Sequence, residues 1–315
     1  MIVFSAKISS KHQERLRTSF PRQTFIFCHS AKEAFENVKD AVVYVTFGDD
    51  VDEKLLSEAK KLKWIAVLSA GVDGFPFSLL KEKGITVTNA KGIHAIQMSE
   101  YAISMLLQVY RQAKVITKNE ENHIWDKSIR MQEISGKTML VAGTGAIGSE
   151  VARLAKAFRM KTIGVSRSGN TVEYFDENDK IENLDSYLPS TDFIVSVLPS
   201  TEETKDVFTL EQFKLMPENA VFLNMGRGDA VIEADLLTAV QTGEIAHAVL
   251  DVFHEEPLPE NHPFWGEENI TVTPHVSGLS PNYMKRALEI LAKNIEKYET
   301  NEKNFVNRID LDRGY

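Results

Sequence analysis

The chain has 315 residues, 43% hydrophobic and 26% charged, which allows one large α/β domain or two medium ones and is ordinary for a soluble globular protein. Its formal net charge of -9 argues against a nucleic-acid or anionic-membrane surface, since either would need a basic excess. One cysteine, Cys28, excludes an intramolecular disulfide and fits a reducing, cytoplasmic setting.

The opening "MIVFS" holds an apolar run too short for a signal peptide or a membrane span and reads as a first β-strand. "TFIFC", "AVVYVTF", "WIAVLS" and "ITVTN" follow as strands, with helix-compatible "DEKLLSEAKKL" and "FSLLKEKG" between them. Cys28, in the second of these runs, reads as a buried structural thiol. A long helical pattern covers residues 96–113, and a polar, irregular stretch, "KNEENHIWDKSIRMQEISGK", comes next. A second strand–helix series begins at "TMLVAG" and continues through "KTIGVS", "DFIVSVLP", "AVFLNMG", "HAVLDVF" and "ITVTPH". The last pattern, "SPNYMKRALEILAKNIEKYETN", has the three-and-four spacing of an amphipathic helix. Two α/β units with parallel sheets are expected. The sequon at Asn269 reads as a chance match.

Gly143, Gly145 and Gly148 form "GTGAIG", a G-x-G-x-x-G between a strand and a helix with apolar residues at Val151, Leu154, Ala155 and Phe158. In that setting the first glycine permits the tight turn, the second lets the backbone approach a pyrophosphate, and the third lets helix pack close to strand. The amides around Thr144, Ala146 and Ile147 would face the phosphates with the helix N-terminus. In an NAD enzyme the next strand should end in an acid that grips the adenosine ribose. "KTIGVS" instead runs into Ser166, Arg167 and Ser168. Serine removes the repulsion of a 2′-phosphate, and Arg167 can pair with that phosphate, which favours NADP(H) over NAD(H). On the other reading Arg167 is an exposed turn residue, and Glu173 or Asp176 reaches the ribose of NAD.

Further on, Arg227, Glu256 and His275 each follow a strand-like run, the place where open α/β sheets bind ligands. Singly each has a structural explanation; in this order and context they read as a catalytic set. His254, beside the loop acids, is expected to have no chemical role.

The segment "NMGRGDAVIEADLLTAVQTGEIAHAVLDVFHEEPLPENHPFWGEENITVTPHVSG" resembles the signature region of the D-isomer-specific 2-hydroxyacid dehydrogenases, a family that includes phosphoglycerate, glycerate and glyoxylate/hydroxypyruvate reductases. "VLPSTEETKDVF", "GTGAIG", "VTNAKG" and "SAGVD" extend the likeness over nearly the whole chain. The resemblance implies that Arg227 clamps the keto-acid carboxylate and that His275 is the acid/base at the carbonyl oxygen. It makes Glu256 the carboxylate that orients the imidazole and favours its protonated form. It implies that Asp251 accepts a hydrogen bond from the nicotinamide carboxamide, and that Ala70 and Gly71 offer amides to the substrate carboxylate. Leu198, Pro199 and Thr204 would form a wall beside the adenosine and pyrophosphate; Met225 would also meet the cofactor, and Met98 and Gly278 would border the nicotinamide. Trp125, Glu133 and Trp265 match the family pattern with packing or structural roles, and no metal is expected.

The implied fold is a Rossmann-type doubly wound parallel sheet, residues 99–284, inserted into a smaller flavodoxin-like α/β substrate domain of residues 1–98 and 285–315. Hinge crossings near Ile96 and Pro281, an active-site cleft that closes, and a homodimer with "KNEENHIWDKSIRMQE" as its arm follow from the same resemblance. With the chain ending at Tyr315, no extra regulatory domain is expected. The implied reaction is reduction of a small 2-keto acid, glyoxylate or hydroxypyruvate, to the D-hydroxy acid, and the implied partner is that small molecule. The competing function is a dinucleotide-sensing regulator on the same fold, as in the family's corepressor branch.

Overall fold

The computed structural model describes residues 1–72 and 74–312, and the chain divides into two compact units, Met1–Ile93 with Ser280–Tyr315, and His94–Leu279. The boundaries read from the sequence, 98/99 and 284/285, fall inside helices that begin at Ala95 and Tyr283. The observed crossings at 93/94 and 279/280 lie in the turns ahead of those helices, where a chain bends more easily.

The first unit runs β1 (Ile2–Phe4), α1 (Ser10–Ser19), β2 (Phe25–Phe27), α2 (Ala31–Asn37), β3 (Val43–Thr46), α3 (Glu53–Glu58), β4 (Trp64–Val67), α4 (Phe77–Glu82) and β5 (Thr86–Thr88). Its strands are all parallel in the flavodoxin-like order β2-β1-β3-β4-β5. Strands β3 and β4 are buried at every position, which is why they read as unbroken apolar runs and not as alternation. Cys28 is a buried thiol pushed up to about 11, first by desolvation and then by the Glu33 charge, so it stays protonated and inert.

The second unit runs α5 (Ala95–Tyr110), α6 (Ala113–Glu121), β6 (Thr138–Ala142), α7 (Ala146–Ala157), β7 (Lys161–Ser166), β8 (Glu177–Lys180), α8 (Leu184–Tyr187), β9 (Phe193–Ser196), α9 (Leu210–Leu215), β10 (Val221–Asn224), α10 (Glu233–Thr242), β11 (His247–Leu250) and β12 (Ile270–Val272). Its seven parallel strands lie in the order β12-β11-β10-β9-β6-β7-β8. The sheet is therefore a Rossmann-type doubly wound one, and the order reverses between β6 and β9, beside the glycine turn. The closing helix, α11 (Tyr283–Glu299), returns to the first unit and buries Ala287, Leu288, Leu291 and Ile295 at three-and-four spacing.

Three local readings are corrected. The stretch taken as irregular opens as helix α6, which Gln112 separates from α5 by adopting a left-handed conformation (φ 56°). Strand β8, "ENDK", escaped notice because an exposed edge strand needs no apolar alternation; its Glu177 pairs instead with Lys161 at 2.7 Å. On α7 the buried positions are Gly148, Val151, Ala152 and Ala155, while Phe158 caps the helix and is exposed. Small residues prevail there because α7 lies close against β6.

Candidate active site

The glycine turn leaves β6 at the sheet's reversal point. Gly143 has a φ of 103°, and a Cβ there would stand 2.9 Å from the Val197 carbonyl oxygen, so neither backbone nor space admits a side chain. The first bond of α7 runs from the Ser149 amide to the Gly145 carbonyl (2.8 Å), which leaves the amides of Ala146, Ile147 and Gly148 outside the helical ladder. A Cβ on Gly145 would meet nothing within 4 Å. Amides outside the ladder at a helix N-terminus, with open space beside Gly145, are suited to an anionic pyrophosphate.

At the end of β7, the Ser166 hydroxyl accepts from the Gly169 amide (3.3 Å) and Ser168 accepts from Asn170 (3.3 Å), closing a tight turn that presents Arg167 outward. Lys180, in β8, sits in register beside Ser166 and sends its stem across Gly169. It is a second cation at this turn, one that no apolar strand pattern announces. Asp176 is engaged by Lys156 (2.6 Å) and by the Thr162 amide (2.9 Å), so it is not free for a ribose. Glu203 is the acid whose carboxyl feels Arg167; its own amide, then Thr201, then that charge hold it below the usual carboxylate range.

The opposite wing of the sheet carries the candidate catalytic residues. Asn224, almost fully buried at the end of β10, donates to the Arg227 carbonyl (2.9 Å) and accepts from the Gly226 amide (3.2 Å). Those two bonds shape the turn on which Arg227 stands exposed, one guanidinium N–H on the Gly226 carbonyl (2.8 Å) and the rest of its donors outward. A buried polar residue three positions ahead of Arg227 was the available signal for Asn224.

Glu256 and His275 meet directly: Nδ1 of the imidazole is 2.8 Å from Oε2, and Oε1 accepts from the Phe253 amide (3.0 Å). Burial alone would raise the Glu256 carboxyl. The His275 and Phe253 hydrogen bonds and the charges of His275 and Arg227 outweigh it and hold the group below its ordinary value. A carboxylate only accepts, so Nδ1 carries the proton toward it, and Nε2 is left facing away as the ring's reactive nitrogen. Both side chains are exposed enough to reach a ligand. The three expected catalytic residues are thus gathered, two by a hydrogen bond and the third by its charge.

Asp251 is fully buried, and both its oxygens are occupied by the turn that carries His275. Oδ1 accepts from the Thr273 hydroxyl (2.5 Å) and the Val276 amide (2.9 Å), and Oδ2 from the Ser277 amide (2.9 Å). It organises the loop that carries His275. Thr204 likewise serves its own loop, donating to the Pro199 carbonyl (2.5 Å) and accepting from the Thr201 amide (3.0 Å). Leu198 and Met225 are buried, each in one of the second unit's apolar clusters. Met98 is buried in the same cluster as Met225. The Gly278 carbonyl accepts from Gln97 (3.1 Å). His254 Nε2 is 3.0 Å from the Val231 carbonyl oxygen. Trp125 is 89% exposed and Glu133 is exposed as well, while the Trp265 indole donates to the Pro259 carbonyl (2.9 Å). In the first unit, the carbonyls of Ala70 and Gly71 accept from Asn89 (2.6 Å) and Ser69 (3.2 Å), which fixes that loop. Among the described residues no cluster of His, Cys, Asp and Glu could hold a metal ion, and no helix is long and apolar enough to cross a membrane.

A family model described as the NAD binding domain of D-isomer specific 2-hydroxyacid dehydrogenases matches residues 103–277, more than half of the chain. The chain belongs to the D-isomer-specific 2-hydroxyacid dehydrogenase family. It is 34% identical to a D-3-phosphoglycerate dehydrogenase of Methanocaldococcus jannaschii over 88% of this chain, and it spans 53% of that longer relative. It is 31% identical to a glyoxylate reductase of Aeropyrum pernix, over 84% of this chain and 82% of that one. Among solved structures it resembles the NADPH-dependent glyoxylate/hydroxypyruvate reductase of Sinorhizobium meliloti in complex with NADP and sulfate. That likeness has a TM-score of 0.81 at 28% identity and covers 100% of this chain and 99% of that one. The segment matching the family's NAD binding domain contains the glycine turn, the 166–168 turn, Asp251 and all three candidate catalytic residues. A nicotinamide dinucleotide is accordingly the cofactor class of this family member.

Proposed function

We propose that this dehydrogenase reduces a small 2-keto acid to the D-2-hydroxy acid with NADP(H), with glyoxylate or hydroxypyruvate as the favoured substrate. The observation that carries the reading is the 2.8 Å Glu256–His275 pair, which commits Nδ1 and leaves Nε2 to a substrate oxygen. Arg227 takes the substrate carboxylate in two parallel hydrogen bonds. His275 Nε2 gives its proton to the carbonyl oxygen, and Glu256 stabilises the imidazolium while it lasts. When bound, the reduced nicotinamide supplies the hydride to the keto carbon. Gly143–Gly148 hold the pyrophosphate, Asp251 the carboxamide, and Ser166, Arg167 and Ser168 the 2′-phosphate, with Lys180 adding charge.

The test is a panel of keto acids followed with NADPH and with NADH. NADPH is expected to be preferred at least ~10-fold, the ratio given by about 1.4 kcal/mol. Equal rates, or faster turnover with NADH, would overturn the phosphate assignment of Arg167. Turnover of none of the acids would leave the sensing function as the better reading.

The protein is proposed to act in the cytoplasm, where its one thiol would stay reduced, and as a homodimer. Support for the dimer comes from one surface depression of the second unit, lined by Ile116, Ile124, Trp125 and Met131, all exposed. Light scattering should give a dimeric mass for the wild type and a monomeric one for Trp125→Glu. A wild-type monomer at micromolar concentration would end this proposal.

A further inference from the structure

Two hydroxyls lie beneath the catalytic histidine and take no part in the chemistry above. Tyr101, on α5, places its hydroxyl oxygen 2.7 Å from Thr273 Oγ1, and Thr273 Oγ1 is 2.5 Å from Asp251 Oδ1. The direction of this chain follows from proton count. The Thr273 proton goes to the carboxylate, so at Tyr101 the threonine oxygen can only accept and the phenol must donate. Burial of the phenol, more than any charge, pushes its titration well above the usual range, so Tyr101 remains a donor throughout the working pH range.

The turn held by this chain is a demanding one. His275 lies in the left-handed region (φ 52°), which a non-glycine residue keeps only when its neighbours fix it. The fixing bonds run from Thr273 Oγ1, Val276 N and Ser277 N to Asp251, and from the His275 amide to the Thr273 carbonyl (3.0 Å). Of these only the Thr273 hydroxyl can rotate away. Tyr101 prevents it by requiring that oxygen as an acceptor.

We propose that Tyr101 is a positioning residue for His275, acting through Thr273 and Asp251 to hold the 273–277 turn so that the imidazole meets Glu256. The inference rests on His275 being the acid/base, and the experiment keeps the two apart. Steady-state kinetics would be measured with the best keto acid of the panel, and NADPH and NADH affinity by fluorescence, for Tyr101→Phe, Thr273→Val, Thr273→Ser and the Phe/Val double variant. His275→Asn is run in parallel.

Tyr101→Phe should lower kcat about 5-fold and Thr273→Val about 20-fold, the scale of a sub-ångström misplacement of a reacting group. Cofactor affinity should stay within about 3-fold. The double variant should be no worse than Thr273→Val alone, because both changes break one chain. Thr273→Ser should recover activity to within about 2-fold, since it keeps the hydroxyl. Additive losses, or a serine variant as impaired as the valine one, would mean that only packing was disturbed and would overturn the proposal. An inactive His275→Asn beside a fully active Tyr101→Phe would sink the positioning role alone. A fully active His275→Asn would sink the acid/base reading beneath it.

Discussion

Replacing His275 with asparagine is expected to lower kcat about 1,000-fold while NADPH affinity changes less than about 3-fold, the signature of a lost general acid. The geometry sets both halves of that expectation. His275 is exposed and bonded only through Nδ1, so Nε2 is available to a substrate oxygen. The cofactor cradle lies on other loops, those after β6 and β7. Glu256→Gln should cost less, about 10- to 100-fold, because an amide can still accept from Nδ1 but no longer balances the imidazolium charge. The pair also sets a pH signature in stability. The Glu256 carboxyl is held below its unfolded value of ~4.3, so its contribution is fully present above that pH and is lost as the pH falls through the lower folded value. Thermal melts should therefore show wild type and Glu256→Gln converging only in strong acid. Wild-type turnover in His275→Asn, or melts that differ equally at every pH, would contradict this account.

How much of this was legible beforehand depended on which physical signal each residue leaves. Buried parallel strands leave continuous apolar runs, and the eleven strands other than β8 could be read in that way. Strand β8 left none, because its side chains face water and neighbouring charges, and with it went Lys180. Arg227, Glu256 and His275 stood out because each polar residue follows an apolar strand, and the spacing between them matched a family. Their supports were less visible. Asn224 and Thr273 lie within three residues of the groups they hold, but a lone polar residue at a strand end has many explanations. Tyr101 left no local trace at all: its partner is 172 positions away, and only the packing of α5 brings them together.

Gly148→Ala and Gly145→Ala, three residues apart in one motif, are expected to fail in different ways. A Cβ on Gly148 would collide with the Gly143 carbonyl and stand 3.0 Å from Val141 Cγ1, so the obstruction includes backbone that cannot swing aside. Accommodating it means lifting α7 from β6, an overpacking cost of about 3 kcal/mol that would lower Tm by roughly 4–8 °C and distort the pyrophosphate turn. Gly145 has an ordinary φ of -71° and open space where its Cβ would be. Alanine there should leave the melting temperature within about 2 °C of wild type, since it also restricts the unfolded chain slightly. The new methyl group would nevertheless enter the open space at the turn to which the pyrophosphate is assigned. Apparent NADPH affinity should fall at least ~10-fold, because a steric block there removes hydrogen bonds to charged oxygens. If Gly145→Ala binds NADPH as wild type does, the cradle has been placed wrongly. If Gly148→Ala melts normally, the close helix–strand contact is not what fixes that glycine.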